Sequence, residues 1–323
     1  MIGTDINFAA SILKRGGLVG IPTETVYGLA GNALDVQSVL QIFTAKNRPH
    51  FDPLILHFAD FSEVAKYVLS IPDIFHIIAH ENCPGPITFL LKKKPIISDL
   101  VTSGSDLVAV RIPNHPMTLA LLAQLDFPLA APSANPFGYI SPTTAPHVEK
   151  QLGDKIDYIL DGGPCEVGLE STIISFDDDG SLVVHRKGGM EVDLLKKYGL
   201  PLRINDLSNS KPSAPGMLLS HYAPRKNLYL GNLEELAESF GDQKVAILAF
   251  SDKSFFPKGY PTKILSPTGD LRETAKNVFN YLRLLDEDEE IDVIIAEEVP
   301  EEGLGLAIND RLRRAASAVS HEP

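Results

Sequence analysis

Cysteine is nearly absent: the 323 residues hold two, Cys83 and Cys165, far apart and without the paired spacing of a zinc site. A disulfide framework or a structural zinc cluster is therefore excluded as the basis of the fold, and both thiols read as small core residues. Long hydrophobic runs are missing too. No stretch approaches the roughly 20 apolar residues of a membrane span, and the opening string MIGTDINFAASILKRGG has neither an apolar h-region nor a cleavage site. The expectation is a soluble cytoplasmic protein without a membrane partner. There is no G-x-x-x-x-G-K-[ST] string and no G-x-G-x-x-G after a strand, so any phosphate has to be held mainly by side chains. No Ser–His–Asp or Cys–His constellation stands out and no histidines have metal-ligand spacing, which argues against a hydrolase with a covalent nucleophile.

What is present is an ordinary apolar fraction of 44% on a chain long enough for two cores. The net charge of −13 opposes non-specific adhesion to nucleic acid. Much of it sits in residues 286–302, DEDEEIDVIIAEEVPEE, which carry no basic side chain and read as a solvated face. A local basic cleft for a phosphate-bearing ligand remains compatible with that total. Strand-like runs fall at 16–23, 53–58, 87–93, 107–113, 128–134, 158–163, 171–176 and 181–187, with helical spacing at 35–46, 61–69, 73–81 and 116–125. This alternation predicts an α/β fold, with a late hairpin turning on Asp178, Asp179 and Gly180. The pattern covers 1–203. Residues 204–225 are polar and proline-bearing and read as a linker, and a second alternation over 226–323 predicts a small parallel α/β domain.

The polar strings PTETVYG (22–28), AKNRPHFDP (45–53), PGPIT (84–88) and PSANPFGYISP (132–142) each lie at an end of an expected strand or helix. Ligands of open α/β sheets bind there. Lys46 and Arg48 offer a point charge and a planar fork for phosphate, or else cap a helix. Ser133 and Asn135 offer hydrogen bonds, or else make a polar turn. Thr25 caps a helix-like start or serves a ligand, and His57 ends an apolar strand. Arg111 ends a buried strand and needs an anion, a structural carboxylate or a ligand. A site of Thr, Ser, Asn, Lys and Arg suits a small amino acid and a nucleotide, where alignment and charge neutralisation supply most of the catalysis.

Taken together, PTETVYGLAGNA, AKNRPHFDPLILHF, CPGPITFLL, VAVRIPNHP, APSANPFGYISPTTAPHV, DGGPCEVGLESTIISF and HRKGG resemble the YrdC-like domain of threonylcarbamoyl-adenylate synthases. APGMLLSHYAP and GLGLAINDRLRRAA are similar to the longer, two-domain form with a Sua-type C-terminal domain. The resemblance implies a YrdC-like twisted mixed sheet with helices, a linker and a small Rossmann-like domain. It implies synthesis of threonylcarbamoyl-AMP and pyrophosphate from L-threonine, bicarbonate or CO2, and ATP. The product would pass to a separate transferase complex that makes threonylcarbamoyladenosine beside the tRNA anticodon. By matching strings, Thr25, His57, Arg111 and Ser171 correspond to the threonine-binding set. Lys46, Arg48, Ser133 and Asn135 correspond to the catalytic tetrad, with Asp52, Ser141 and Arg186 also at ATP. Mg2+ would be carried by ATP. The Pro, Gly, His and Tyr of PGMLLSHYAP inside a polar connector lead to the expectation that this string, with His221 and Tyr222, folds across the first-domain cleft as a lid that limits water access.

Three positions depart from the family pattern. Asp52 stands where Asn is usual and is expected to face Mg2+, water or a lysine rather than a bare phosphate. Leu219 replaces a tyrosine, and Phe137 and Tyr139 are larger than usual at the expected rim of the site. Two other readings compete. One is a double-stranded-RNA- or ribosome-binding module, with tRNA a further possible contact, expected to show a basic groove and steep salt dependence. The other is a hydrogenase maturation factor, whose cysteine-rich zinc segments two lone cysteines do not match.

Overall fold

The computed structural model describes residues 1–49, 52–205 and 222–316. They form two compact units. The first takes Met1–Phe137, Pro142–Glu166 and the described residues from Glu170 to 205; the second takes Gly138–Ser141, Val167–Leu169 and 222–316. Two short pieces of the N-terminal half thus belong to the second unit, an arrangement that cutting the chain once at a linker does not produce. None of the described helices is long and apolar enough to cross a membrane.

The first unit carries strands β1 (Ile2–Gly3), β2 (Val19–Ile21), β3 (Gly28–Asn32), β4 (Ile55–His57), β5 (Ile87–Lys92), β6 (Leu107–Arg111), β7 (Leu129–Ala130), β8 (Tyr158–Leu160), β9 (Thr172–Phe176), β10 (Leu182–Arg186) and β11 (Leu202–Ile204). They lie in the order β1-β8-β2-β3-β7-β4-β6-β5-β9-β10-β11 and mix parallel and antiparallel neighbours. Helices α1 (Ile6–Lys14), α2 (Val36–Lys46), α3 (Asp73–Asn82), α4 (Asp99–Thr102), α5 (Pro116–Leu122) and α6 (Ala145–Leu152) accompany them. Start signals are local: the side chains of Asp5, Asp35 and Thr144 accept backbone N–H groups at the first turns of α1, α2 and α6. The hairpin expected at Asp178–Gly180 joins β9 to β10, with Gly180 at φ 83°.

Two expectations change in detail. The 61–69 spacing predicts a helix, yet only Phe61–Lys66 coil, as a 3-10 helix. Val68 bridges Lys93 and the Leu69 N–H donates to Lys92 O at 2.8 Å, so the chain has to straighten at the sheet. Conversely, GLAGN at 28–32 lacks β-branched residues but forms β3. A Cβ at Gly31 would stand 3.0 Å from Leu18 and 3.2 Å from Ile42, so close packing demands the small residue.

The second unit has strands β12 (Asn227–Leu230), β13 (Val245–Ala249), β14 (Thr262–Ile264) and β15 (Val293–Ala296), all parallel, in the order β12-β15-β13-β14. Helices α7 (Leu233–Ser239), α8 (Leu271–Glu287) and α9 (Gly305–Ala316) complete it. Gly168 reaches α8 so closely that a Cβ would meet Ala275 O at 2.4 Å, and its φ is +79°. Only glycine fits there.

Candidate active site

Side chains alternate across a strand, and residues paired between neighbouring strands share a face. His57 on β4 pairs with Arg111 on β6. The Phe89–Val110 pair puts Thr88 of β5 opposite Arg111 one step on, Thr88 pairs with Ile173 of β9, and Ile173 pairs with Arg186 of β10. Ser171 lies two residues before Ile173. Five polar side chains, from β4, β6, β5 and β10 and from the approach to the intervening β9, therefore occupy one face, above a small apolar cluster of Ile55, Leu90, Ala109 and Ile173. Leu56, Phe89, Val110 and Ile174 turn the other way, into the main core.

Arg111 finds its anion within the chain. Its Nη2 donates to Glu24 Oε1 at 2.7 Å, and the Asn114 N–H donates to Glu24 Oε2 at 3.0 Å. Both side chains are 5% exposed. His57 accepts no charge in this setting: burial first, and the neighbouring Arg111 second, hold its imidazole down at about 3. Thr25 Oγ1 lies 2.8 Å from Thr23 Oγ1, which itself donates to Val26 O. The stretch after Thr25 is the strand β3, so the helix-capping alternative for Thr25 does not apply. Cys83 and Cys165 both sense Glu24 and Arg111, and burial raises both thiols, Cys83 to about 12.

A second, cationic cluster begins at the end of α2. Asn47 takes a left-handed φ of 51°, closing the helix just after Lys46 and turning the chain so that the Arg48 N–H reaches Phe43 O at 2.9 Å. Lys46 is buried and its ammonium donates to the carbonyls of Ser133 and Asn135, while Phe137 N–H donates to Lys46 O. Burial, with Arg48 adding repulsion, pulls Lys46 well below its ordinary range. Arg48 donates through Nε to Asp52 O at 3.1 Å and through Nη2 to Pro53 O at 2.8 Å, and Nη2 is 2.8 Å from Asp52 Oδ2. Burial lifts the Asp52 carboxyl against the opposing pull of Arg48, Lys46 and Arg186. Asp52, expected to face Mg2+, water or a lysine, is thus ion-paired to Arg48. Arg186 donates to Ser171 O at 3.0 Å and Ser171 Oγ at 3.1 Å, and Thr88 Oγ1 is 2.7 Å from Ser171 Oγ.

Among the sequence-predicted residues, Lys46 joins Ser133 and Asn135, Arg48 joins Asp52, Arg186 joins Ser171, and His57 flanks Arg111. Ser141 and Tyr139 are part of the second unit. There Tyr139 Oη is 2.5 Å from Asp286 Oδ2, with Arg225 and Arg283 against its ring. Phe137 closes the first unit's share of that loop. Of the expected lid, His221 and Leu219 lie outside the described residues. Tyr222 is buried in the second unit, its ring stacked on Phe279 at 5.5 Å with Arg311 4.9 Å over it. Sequence reasoning passed over Glu24, Thr23 and Thr88. The signal for Glu24 was in plain view, an acid inside PTETVYG and an arginine in need of an anion.

A family model described as telomere recombination matches residues 11–188, and one described as threonylcarbamoyl-AMP synthase, C-terminal domain, matches 189–317. The threonylcarbamoyl-AMP synthase of Pyrococcus abyssi is 38% identical over 327 residues, covering 96% of this chain and 94% of its own. That of Bacillus subtilis is 37% identical over 319 residues, covering 95% and 92%. The crystal structure of P. abyssi Sua5 complexed with L-threonine superposes with a TM-score of 0.90, covering 97% of this chain and 94% of that one. With both family models in order along the chain and similarity over nearly its whole length, this protein belongs to the two-domain threonylcarbamoyl-AMP synthase family.

Proposed function

We propose that this protein condenses L-threonine, bicarbonate or CO2, and ATP into threonylcarbamoyl-AMP and pyrophosphate. The observation that carries this reading is the single sheet face of the first unit that aligns His57, Arg111, Thr88, Ser171 and Arg186. In the proposed reaction the threonine ammonium loses a proton and the free nitrogen bonds to the carbon of CO2, releasing a second proton, or to that of bicarbonate, releasing water, to give a carbamate. A carbamate oxygen then bonds to the α-phosphorus as the bond to the β-phosphate oxygen breaks and pyrophosphate leaves. Positioning and charge neutralisation carry such a displacement.

Arg111 takes the threonine carboxylate, a planar fork meeting a planar anion. His57, Thr25 and Ser171 line the amino-acid end. Lys46, held over the Ser133–Asn135 turn, supplies the point charge for the phosphates, with Arg48 and Arg186 beside it. Ser133 and Asn135 complete the first unit's share of the nucleotide-binding set. Mg2+ enters with ATP as part of the substrate and neutralises the leaving pyrophosphate; Asp52, ion-paired to Arg48, is the carboxylate of the cationic cluster. The product serves as an activated donor for a tRNA threonylcarbamoyl transferase.

Pyrophosphate release by purified protein tests the reading, with ATP, Mg2+, bicarbonate and L-threonine each omitted in turn. Release is expected to need all of them and to fall at least 100-fold in Lys46→Ala, in line with the loss of a charge-stabilising donor of about 3 kcal/mol. Release that continues without threonine or bicarbonate overturns it.

A further inference from the structure

The Glu24–Arg111 pair does more than satisfy two buried charges. A carboxylate has about four lone-pair sites, and Glu24 commits one oxygen to Arg111 Nη2 and the other to the Asn114 N–H. Arg111 Nε is buried without a hydrogen-bond partner among the described residues. The pair is therefore bonded together while both members keep capacity for a further ligand.

The proposed substrate is a zwitterion, with an ammonium one carbon away from its carboxylate. A carboxylate brought to Arg111 alone would also meet the negative charge of Glu24, and an ammonium brought there alone would meet the guanidinium. A cation and an anion 2.7 Å apart suit a ligand that carries both charges at similar spacing. Among the described residues, Glu24 is the one acidic side chain bonded to Arg111. His57 is held neutral by burial and by Arg111, and the hydroxyls of Thr23 and Thr25 are bonded to one another.

We propose that Glu24 is the binding residue for the α-ammonium of the amino-acid substrate, so that Arg111 and Glu24 read the two ends of the zwitterion. This rests on the reading of the site as an L-threonine site. It has a consequence for the order of events. Once the nitrogen is carbamoylated it is neutral and carries a negative carboxyl, which Glu24 repels and the Lys46, Arg48 and Arg186 charges attract. The same residue that captures the amine then favours its departure toward the phosphates.

The test is calorimetric titration of full-length protein with L-threonine and with 3-hydroxybutanoate, which is threonine without its amino group. Wild-type protein is expected to prefer L-threonine strongly. Glu24→Gln is expected to weaken L-threonine binding by about 10- to 100-fold, the range for one charged hydrogen bond, and to leave 3-hydroxybutanoate unchanged or tighter. Glu24→Asp, which keeps the charge, is expected to retain part of the preference. Equal weakening of both ligands in Glu24→Gln makes the residue merely structural and overturns the proposal. Should that variant not fold, the wild-type preference and its reduction in Glu24→Asp decide the matter: equal binding of the two ligands by wild-type protein, or an undiminished preference in Glu24→Asp, overturns it. Wild-type protein that binds no L-threonine while remaining folded refutes the underlying reading of the site instead.

Discussion

At the scale of single residues, burial sets the protonation of the site. Lys46 lies below its ordinary range because water has been removed and Arg48 is near. A bound triphosphate supplies the missing negative charge and raises Lys46 again, so binding takes up a proton and weakens as pH rises through the free-state value. Calorimetry of Mg·ATP binding in buffers of different ionisation heat should show that uptake, and Lys46→Met should abolish it. His57 gives the complementary stability prediction. Its folded value of about 3 lies under the ordinary 6.5, so the unfolded chain binds the proton first and stability falls as pH drops below 6.5. The loss is about 2 kcal/mol at pH 5. A His57→Gln variant, whatever its stability at pH 7, should lose that much less between pH 7 and pH 5 in urea titrations; an identical slope would place the acid sensitivity elsewhere.

At the scale of elements, ends matter more than middles. The C-terminus of α2 delivers Lys46 and, through the left-handed Asn47, Arg48. The segment Gly138–Ser141 is held differently, by α8. Asp286, whose side chain is fully buried, accepts from Tyr139 and from the N–H groups of Arg225 and Lys226, and Arg283 donates to the carbonyls of Ile140 and Ser141. Asp286→Ala leaves these donors without an acceptor and should cost about 2–4 kcal/mol, against about 1–2 kcal/mol for Tyr139→Phe. Denaturant midpoints of the two variants test the ranking. Much of this architecture was legible: β5, β6, β9 and β10 announce themselves by apolar runs, and Asp178–Gly180 by turn chemistry. β3 was not, because GLAGN is selected for closeness to Leu18 and Ile42 rather than for strand propensity.

At the scale of the whole molecule, a net charge of −13 governs encounters with polyanions. The basic side chains of the candidate site are buried in small clusters, Lys46 at 1% exposure and Arg48 at 7%, too enclosed to form a continuous basic groove. Filter binding to a generic RNA duplex at physiological salt should give nothing tighter than the roughly 10⁻⁴–10⁻⁶ M of non-specific association. A sub-micromolar constant with a steep salt slope would favour the RNA-binding reading over the synthase.

The sequence by itself determined the α/β class, the two-domain family and the polar strings at strand ends, because these depend on local pattern and residue type. Only the tertiary structure decided partners. Glu24 and Arg111 are 87 positions apart, and nothing in either string says that one neutralises the other. Asp52 had candidate neighbours by type, yet its pairing with Arg48 depends on how the chain turns after α2. Tyr139 and Tyr222 read as residues of a site rim and a lid, and no string says that Asp286 and Phe279 are their neighbours in the second unit. Charges and rings are satisfied by whatever the fold brings within a few ångströms, and that distance is set by the whole chain.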